Sequence, residues 1–221
     1  MKWEIKQFNS LESTNTTARS YEPGTVIVAE EQTAGRGRYG RVWQSPKGNL
    51  YASFVFPKNK EYDKYLSFLT GLALAESLPE FSVHLKWPND VLLDGKKVAG
   101  ILLESGDDKI IVGIGVNLIS NPVKNVLYPT TNLGGRLSPM ALVKRLIIQY
   151  TALQNVLEQK GFDKIRRRWL DLAEGLGEVI SVHLPDKELV GVFKDISDEG
   201  ALILKTEKGK HSIMAGDVFL I

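Results

Sequence analysis

The sequence predicts an α+β domain with a central sheet, followed by a small all-β, barrel-like domain. Short apolar runs of β type alternate with helical patterns up to residue 172. From residue 179 onward only β-type runs remain, and no helical pattern returns. Since helices give way to strands near Ala173, we expect one domain over residues 1–172 and a second over residues 173–221.

Predicted strands and helices alternate along the first domain. Residues 2–8 and 25–30 are predicted strands, the second because it contains the β-branched run Thr-Val-Ile-Val. A short helix between them is predicted to begin at Ser13 or Thr14, since serine and threonine commonly cap helix N-termini. A third strand is predicted over residues 49–56, where apolar and polar side chains alternate.

A core helix is predicted over residues 65–78, where leucine and alanine recur at helical intervals. The Asp-Gly pair at residues 94–95 predicts a hairpin turn between two of the strands that follow. Residues 138–170 are predicted to be helical, with Gly161 dividing them into two helices. The remaining strands are predicted at residues 83–87, 91–93, 98–104 and 110–118, and in the second domain at residues 179–184, 189–195, 201–205 and 213–221.

The composition excludes several classes of protein. The net charge of +2 argues neither for a dedicated nucleic-acid binder nor for an acidic or membrane-surface protein. The chain has no cysteine and only three histidines, none at metal-ligand spacing, so we expect neither thiol chemistry nor a metal site built from protein ligands. No apolar run reaches the roughly 18 residues of a membrane span, and no signal peptide begins the chain. We therefore expect a soluble, cytoplasmic protein.

Residues 35–41 (Gly-Arg-Gly-Arg-Tyr-Gly-Arg) contain three glycines and three arginines. Glycine costs backbone entropy in a helix or strand and unpaired charges resist burial, so a loop is expected. Its backbone N–H and guanidinium groups suit phosphate and carboxylate. A solvated basic hairpin or an arginine–glycine RNA-binding tract remains open, although Trp43 and a strand follow directly. The segment matches neither the phosphate-loop nor the dinucleotide-binding pattern.

Residues 86–90 (Lys-Trp-Pro-Asn-Asp) place polar side chains at the end of a predicted strand. Proline cannot donate to a strand ladder, so pairing stops before Asn89 and Asp90. Taken alone, these two residues favour an Asx turn. Lys97 begins the next apolar strand, and Gly100 removes a side chain from its middle, which often marks close approach of a ligand or another backbone. The alternative for Lys97 is an edge lysine that extends its charge into water.

Five motifs follow one another along the chain: Ser13-Thr14-Asn15, then residues 32–43 (Gln-Thr-Ala-Gly-Arg-Gly-Arg-Tyr-Gly-Arg-Val-Trp), 86–90, 97–104 (Lys-Val-Ala-Gly-Ile-Leu-Leu-Glu) and 113–117 (Gly-Ile-Gly-Val-Asn). In this order they resemble the biotin protein ligase family, and the resemblance covers nearly the whole chain. It implies a mixed central sheet flanked by helices and an SH3-like β-barrel domain. The chain departs from the family at Tyr39, where many members carry a basic residue, and at Glu12, where aspartate is common. No winged helix-turn-helix precedes the catalytic domain, so we expect a ligase without DNA binding.

The resemblance implies a two-step reaction. The biotin carboxylate attacks the α-phosphorus of ATP to give biotinyl-5′-AMP and pyrophosphate, and a lysine of a biotin carboxyl carrier protein then attacks the mixed anhydride. The carrier would belong to acetyl-CoA carboxylase or a related carboxylase. Mg²⁺ would accompany the triphosphate, held by phosphate oxygens and water. Neither DNA nor a membrane is an expected partner, and the resemblance implies a homodimer.

The resemblance also implies roles for individual residues. Lys97 would bridge the biotin carboxylate and the α-phosphate, Arg38 would shield the intermediate from water, and Asp90 would orient the acceptor lysine and accept its proton. The residues expected to bind biotin are Ser13, Thr14, Asn15, Gln32, Arg36, Gly37, Arg38, Lys97 and Gly100. Those expected to bind ATP are Arg36, Arg38, Trp43, Asn89, Lys97 and Asn117.

Two alternatives remain open on the sequence. A lipoate–protein ligase or related acyltransferase would share the fold and the reaction logic, although the arginine-rich segment and residues 86–90 favour biotin. An RNA-binding module could use the arginine segment and the β domain, but the near-neutral net charge disfavours it.

Overall fold

The structure is a computed structural model that describes residues 1–124 and 126–221. Its helices are α1 (Thr14–Ala18), α2 (Leu66–Ser77), α3 (Pro139–Lys160) and α4 (Phe162–Asp171). Its strands are β1 (Glu4–Leu11), β2 (Thr25–Gln32), β3 (Leu50–Pro57), β4 (Val83–Lys86), β5 (Asp90–Leu93), β6 (Lys96–Ser105), β7 (Lys109–Val116), β8 (Val179–His183), β9 (Glu188–Ile196), β10 (Leu202–Thr206), β11 (Gly209–Ile213) and β12 (Asp217–Leu220).

The first seven strands form one mixed sheet in the order β1-β2-β3-β7-β6-β5-β4. Strands β1 and β2 are parallel, because the chain crosses over through α1 between them, and the other neighbours are antiparallel. The Asp-Gly hairpin turn between β5 and β6 forms as predicted, with both turn residues at positive φ. The structure confirms the predicted α+β class with a mixed central sheet.

The two faces of this sheet are covered differently. Side chains that alternate along β2, such as Val26 and Val28, join the main core under α2 and α3. The intervening side chains, such as Ile27 on β2 and Ile111 on β7, pack on the other face with Ala18 of α1. Because α1 has only five residues, it covers one part of this face and leaves the neighbouring part open.

Strands β8 to β12 form a second, antiparallel sheet in the order β11-β10-β9-β8-β12. It packs closely against the first domain. Trp87 donates an indole hydrogen bond to the Gly200 carbonyl (3.3 Å), and Tyr65 donates to the Asp198 carbonyl (3.0 Å). Buried side chains of the second sheet, including Phe193, belong to the same continuous core as the first domain. The second sheet is the small all-β domain that the sequence predicts.

Most predicted elements occur, with two corrections. The helical region beyond residue 138 begins at Pro139 and divides at Gly161, as predicted. The single strand predicted over residues 213–221 is wrong, because β11 ends at Ile213 and β12 begins at Asp217 after a turn. The pattern missed β11 because its sequence, Gly-Lys-His-Ser-Ile, is polar and lies on an edge of the sheet. Within the described ranges, no helix has both the length and the apolar character needed to cross a membrane.

Candidate active site

A cavity of about 560 Å³ opens on the face of the first sheet that α1 leaves uncovered. The structure brings all thirteen sequence-predicted site residues to its walls, although they come from five separate segments of the chain. They are Ser13, Thr14, Asn15, Gln32, Arg36, Gly37, Arg38, Trp43, Asn89, Asp90, Lys97, Gly100 and Asn117.

Glycines form the floor of this cavity. Gly100 on β6 and Gly115 on β7 are direct cross-strand partners, and the Trp43 indole lies over both. A Cβ atom added at Gly115 would lie within 2.7 Å of three indole atoms, and one at Gly100 would lie 3.0 Å from Trp43 Cζ3. Trp43 Nε1 is buried and has no hydrogen-bond partner among the described residues. The missing side chains therefore let the Trp43 indole lie directly against the two strands, where it forms part of the cavity wall.

A polar network lines the end of the cavity next to α1. Ser13 precedes the helix as its N-cap residue, as predicted, but its side chain makes no capping hydrogen bond, which leaves its hydroxyl available to a ligand. The backbone N–H and the hydroxyl of Thr14 donate to Gln32 Oε1 (2.8 and 3.1 Å). Buried Ser53 on β3 bonds to Thr14 Oγ1 (2.8 Å) and to Asn15 Oδ1 (2.6 Å). These bonds fix the polar groups before any ligand enters.

Lys97 and Asp90 form an ion pair inside the cavity, with Lys97 Nζ 2.7 Å from Asp90 Oδ1. The approach is too oblique for a hydrogen bond, so Oδ1 has no hydrogen-bond donor among the described residues. Backbone bonds from Lys97 N to the Pro129 carbonyl (2.8 Å) and from Thr131 N to the Lys97 carbonyl (2.9 Å) fix the start of β6. The site thus holds a positioned ammonium paired with a buried carboxylate oxygen.

Asn89 and Asn117 anchor the neighbouring segments. The Asn89 amide donates to the Ile101 carbonyl (2.7 Å), and its Oδ1 accepts from Arg38 (3.1 Å). The Asn117 amide donates to the Thr131 carbonyl (3.0 Å). Asn89 therefore connects β6 to the arginine segment, and Asn117 connects β7 to the loop that supports Lys97.

Lys86, at the end of β4, is a buried cation beside this pair. Its Nζ lies 3.1 Å from the centroid of the Tyr128 ring, and Asp90 is its cross-strand partner. Burial lowers the pKa of Lys86 to about 8, although the charge of Asp90 acts in the opposite direction. A buried cation held in this way costs folding free energy while it stays protonated.

We expect Lys86→Met to change how stability depends on pH. In the unfolded chain the lysine keeps its ordinary pKa of 10.5. Between about pH 8 and about pH 10.5 the unfolded chain therefore binds the proton that the folded chain has lost, and the free energy of unfolding rises with pH. The wild type should gain roughly 2 kcal/mol relative to Lys86→Met between about pH 7 and about pH 10. Urea denaturation at each pH measures this, and a difference that does not change with pH would contradict it.

The predicted loop at residues 35–43, hereafter the arginine hairpin, is a short β-hairpin. Trp43 N donates to the Gly35 carbonyl (2.9 Å), and Gly37 N donates to the Arg41 carbonyl (2.7 Å). The turn passes through Tyr39 (φ 55°) and Gly40 (φ 72°), both in the left-handed region. Glycine adopts this conformation without strain, so the composition of the segment suits its tight turn.

The three arginines of the hairpin have different partners. Arg36 donates to Thr16 Oγ1 (2.9 Å) and to Glu104 (3.1 Å), which fixes the base of the hairpin. Arg38 reaches across the cavity mouth to Asn89 and to the Gly216 carbonyl (3.3 Å). Arg41 pairs with Asp217, the first residue of β12. Arg38 and Arg41 thus link the tip of the hairpin to the C-terminal domain.

The sequence analysis did not assign a role to several cavity residues, among them Arg41, Tyr128 and Asp217. Arg41 lies within the motif at residues 32–43, so its place in that motif was a signal that it could reach the cavity. Tyr128 and Asp217 carry no local signal, since only the tertiary fold brings their segments to the cavity.

The fold and the site together place this chain in a class of enzymes. Residues 6–120 match the model of the Biotin/lipoate A/B protein ligase family, and residues 175–221 match that of the Biotin protein ligase C terminal domain. The chain is 38% identical to the biotin--[acetyl-CoA-carboxylase] ligase of Paracoccus denitrificans, covering 94% of this chain and 97% of the relative. The chain therefore belongs to the biotin protein ligase family, as the resemblance of the five motifs predicted.

Two further comparisons agree with this family assignment. The structure superposes on a biotin protein ligase from Aquifex aeolicus in complex with biotin and ATP, with a TM-score of 0.87 and 27% identity, covering 98% of this chain and 99% of the other. The chain is 33% identical to the bifunctional ligase/repressor of Escherichia coli, covering 89% of this chain and 66% of that longer protein.

Proposed function

We propose that this enzyme joins biotin to ATP to form biotinyl-5′-AMP and then transfers biotin to a lysine of a carboxylase carrier protein. The observation that carries the proposal is the Lys97–Asp90 pair beside the Trp43 indole, inside one cavity that arginines border. The carrier is the biotin carboxyl carrier protein of acetyl-CoA carboxylase or a related carboxylase, in keeping with the name of the Paracoccus denitrificans relative.

In the first step, Lys97 neutralises two anions that must approach each other. The biotin carboxylate and the α-phosphate repel one another, and a compact ammonium can follow the charge from one to the other. Its fixed backbone and its position in a recessed site make this attraction stronger than in water. No covalent intermediate with the enzyme is needed, because the carboxylate itself attacks phosphorus.

Biotin occupies the end of the cavity next to α1. The polar network of Ser13, Thr14, Asn15 and Gln32 supplies hydrogen bonds to the ureido ring, and Gly100 also lines the cavity. Arg36 and Gly37 border the same end, but Arg36 already pairs with Glu104. We therefore assign Arg36 to the base of the hairpin, with ligand contact through the backbone beside it.

ATP occupies the part of the cavity nearer Trp43. The indole offers a flat face to adenine, and Asn117 and Asn89 border the same region. Arg38 provides positive charge for the phosphates, whereas the charge of Arg36 is already paired with Glu104. ATP enters as its magnesium complex, with Mg²⁺ held mainly by phosphate oxygens and water.

The second step requires a neutral acceptor lysine. A lysine of ordinary pKa ~10.4 is only about 0.04% neutral at pH 7, which costs roughly 4.6 kcal/mol. Asp90 lines the cavity beside Lys97, and its carboxylate can accept an N–H of the incoming amine. Orientation is the larger part of this role, because a carboxylate is a weak base for an ammonium group.

We expect Gly115→Ala to weaken ATP binding. The new methyl group would clash with the Trp43 indole, and overpacking of this kind costs ~1–3 kcal/mol. The KM for ATP should rise about tenfold or more. Gly106→Ala, at the turn between β6 and β7, is the matched control because a Cβ there would contact nothing closer than 3.4 Å. An unchanged KM in Gly115→Ala would place adenine away from the indole.

Biotin-dependent exchange of radioactive pyrophosphate into ATP tests the proposed function. We expect exchange with biotin and none with lipoate, since the arginine hairpin and residues 86–90 match the biotin motifs. Exchange with lipoate alone would instead identify a lipoate ligase. Salt-dependent RNA binding without any ATP dependence would favour the RNA-binding alternative.

The domain bounds, the cellular location and the oligomeric state complete the proposal. Residues 1–172 form the catalytic domain and residues 173–221 the C-terminal domain. The enzyme works in the cytoplasm, where ATP is available, and it forms a homodimer. Sedimentation with and without biotin and ATP measures the oligomeric state.

A further inference from the structure

The C-terminal domain contacts the arginine hairpin at two adjacent residues, Gly216 and Asp217, where β12 begins. Asp217, the first residue of β12, accepts hydrogen bonds from the two terminal guanidinium nitrogens of Arg41. Arg41 Nη1 lies 3.1 Å from Oδ1, and Nη2 donates to Oδ2. The carbonyl of Gly216, one residue earlier, accepts a hydrogen bond from Arg38 (3.3 Å). Arg38 and Arg41 lie on either side of the hairpin turn, so Gly216 and Asp217 contact both sides of the tip.

The ion pair is placed where it can restrain the tip of the hairpin. The Asp217 side chain is only 17% exposed. Burial raises the pKa of Asp217, but the hydrogen bond and the charge of Arg41 outweigh it, so the net pKa lies below its ordinary value. A charge-assisted, bidentate contact of this kind fixes the relative orientation of the two side chains as well as their distance.

The tip has few other restraints. Tyr39 and Val42 are exposed (62% and 78%), so little apolar surface holds the turn against the rest of the protein. The base of the hairpin, by contrast, is fixed by the Arg36–Glu104 pair. Segments with few buried apolar contacts open at low free-energy cost. The closed position of the tip therefore depends on its polar contacts with β12 and with Asn89.

We propose that Asp217, together with the Gly216 carbonyl, tethers the arginine hairpin to the C-terminal domain, so that the C-terminal domain retains the adenylate in the cavity. Asp217 is a positioning residue that acts through Arg41, and the part concerning retention rests on the proposed function. The proposal gives the C-terminal domain a task in catalysis, since it controls how long the cavity stays covered.

The chain supplies a matched control. Asp195 on β9 also pairs across the two domains, with Arg166 of α4 (2.8 Å), but this contact lies away from the arginine hairpin. Asp217→Asn removes the charge and preserves the size, while Asp217→Glu preserves the charge. Asp195→Asn breaks a comparable interdomain pair. General loosening of the domains would affect both asparagine variants, whereas a tether affects only the first.

Two readouts test the proposal. The first is trypsin cleavage after Arg36, Arg38 and Arg41 in the ligand-free full-length protein, well below its melting temperature and mapped by mass spectrometry. The second is the escape rate of radioactive biotinyl-AMP during a chase with unlabelled biotin. Asp217→Asn should raise both rates about fivefold to tenfold. Asp217→Glu should stay within about twofold of the wild type, and Asp195→Asn should leave both rates unchanged.

If trypsin cleaved the hairpin of Asp217→Asn no faster than that of the wild type, the tether would be overturned. Asp195→Asn would overturn it too if it accelerated cleavage as much as Asp217→Asn. Faster cleavage without faster escape would overturn the role in retention. A wild-type protein that forms no biotinyl-AMP would refute the proposed function instead, and the ligand-free cleavage comparison would still decide whether the tether exists.

Discussion

Replacement of Lys97 by alanine is expected to slow biotinyl-AMP formation by ~10²-fold or more. The wild-type ammonium lies 2.7 Å from Asp90, and in the proposed reaction it bridges the biotin carboxylate and the α-phosphate. Its removal takes away the charge that stabilises the transition state. It also leaves the Asp90 carboxylate unneutralised, and that carboxylate then repels both substrates. Pyrophosphate exchange at saturating biotin and ATP measures the rate of this step.

Two further variants make the Lys97 experiment specific. Lys96→Ala removes the exposed neighbouring lysine on the same strand and should leave the rate within about twofold of the wild type. The double variant Lys97→Ala with Asp90→Asn removes the repelling carboxylate and should remain slow, because the stabilising charge is still absent. Thermal denaturation of each variant checks the fold. Normal turnover in folded Lys97→Ala would show that the reaction does not need Lys97.

Replacement of Arg38 by glycine is expected to release biotinyl-AMP and to label proteins without selectivity. Arg38 spans the cavity mouth from Asn89 to the Gly216 carbonyl. Without it the hairpin loses both contacts and the mixed anhydride reaches water and foreign lysines. Streptavidin detection of biotin on a bystander protein, in the absence of carrier, measures the escape.

Arg136→Gly is the control for this experiment, because Arg136 is also an exposed arginine in a loop but lies outside the cavity wall. It should label the bystander no faster than the wild type. Tight retention of biotinyl-AMP by Arg38→Gly would contradict the assignment of Arg38 to the lid.

The sequence predicted the elements of the first domain and the site residues better than their spatial relations. Helix α3 begins at Pro139 and ends before Gly161, because both signals are local. The pairing of Gly100 with Gly115 depends on cross-strand register, which no local pattern specifies. The sequence therefore indicated close approach at Gly100 but could not identify Trp43 as the group that lies there.

Long-range contacts account for the rest. Arg41 and Asp217 are separated by almost the whole chain, and only the docking of the second sheet brings them together. The burial of Lys86 and its contact with Tyr128 arise in the same way. Sequence reasoning therefore found the motifs that line the cavity but missed the contacts between the two domains.

The central claim is that one cavity makes biotinyl-AMP and holds it without a covalent bond. The most direct measurement incubates the purified protein with biotin and α-labelled ATP, without carrier, and then separates protein from small molecules. We expect about one labelled adenylate per chain, released by acid denaturation as biotinyl-AMP and discharged when carrier is added without ATP. Label that stays on the denatured protein, or no label retained on the native one, would contradict the claim.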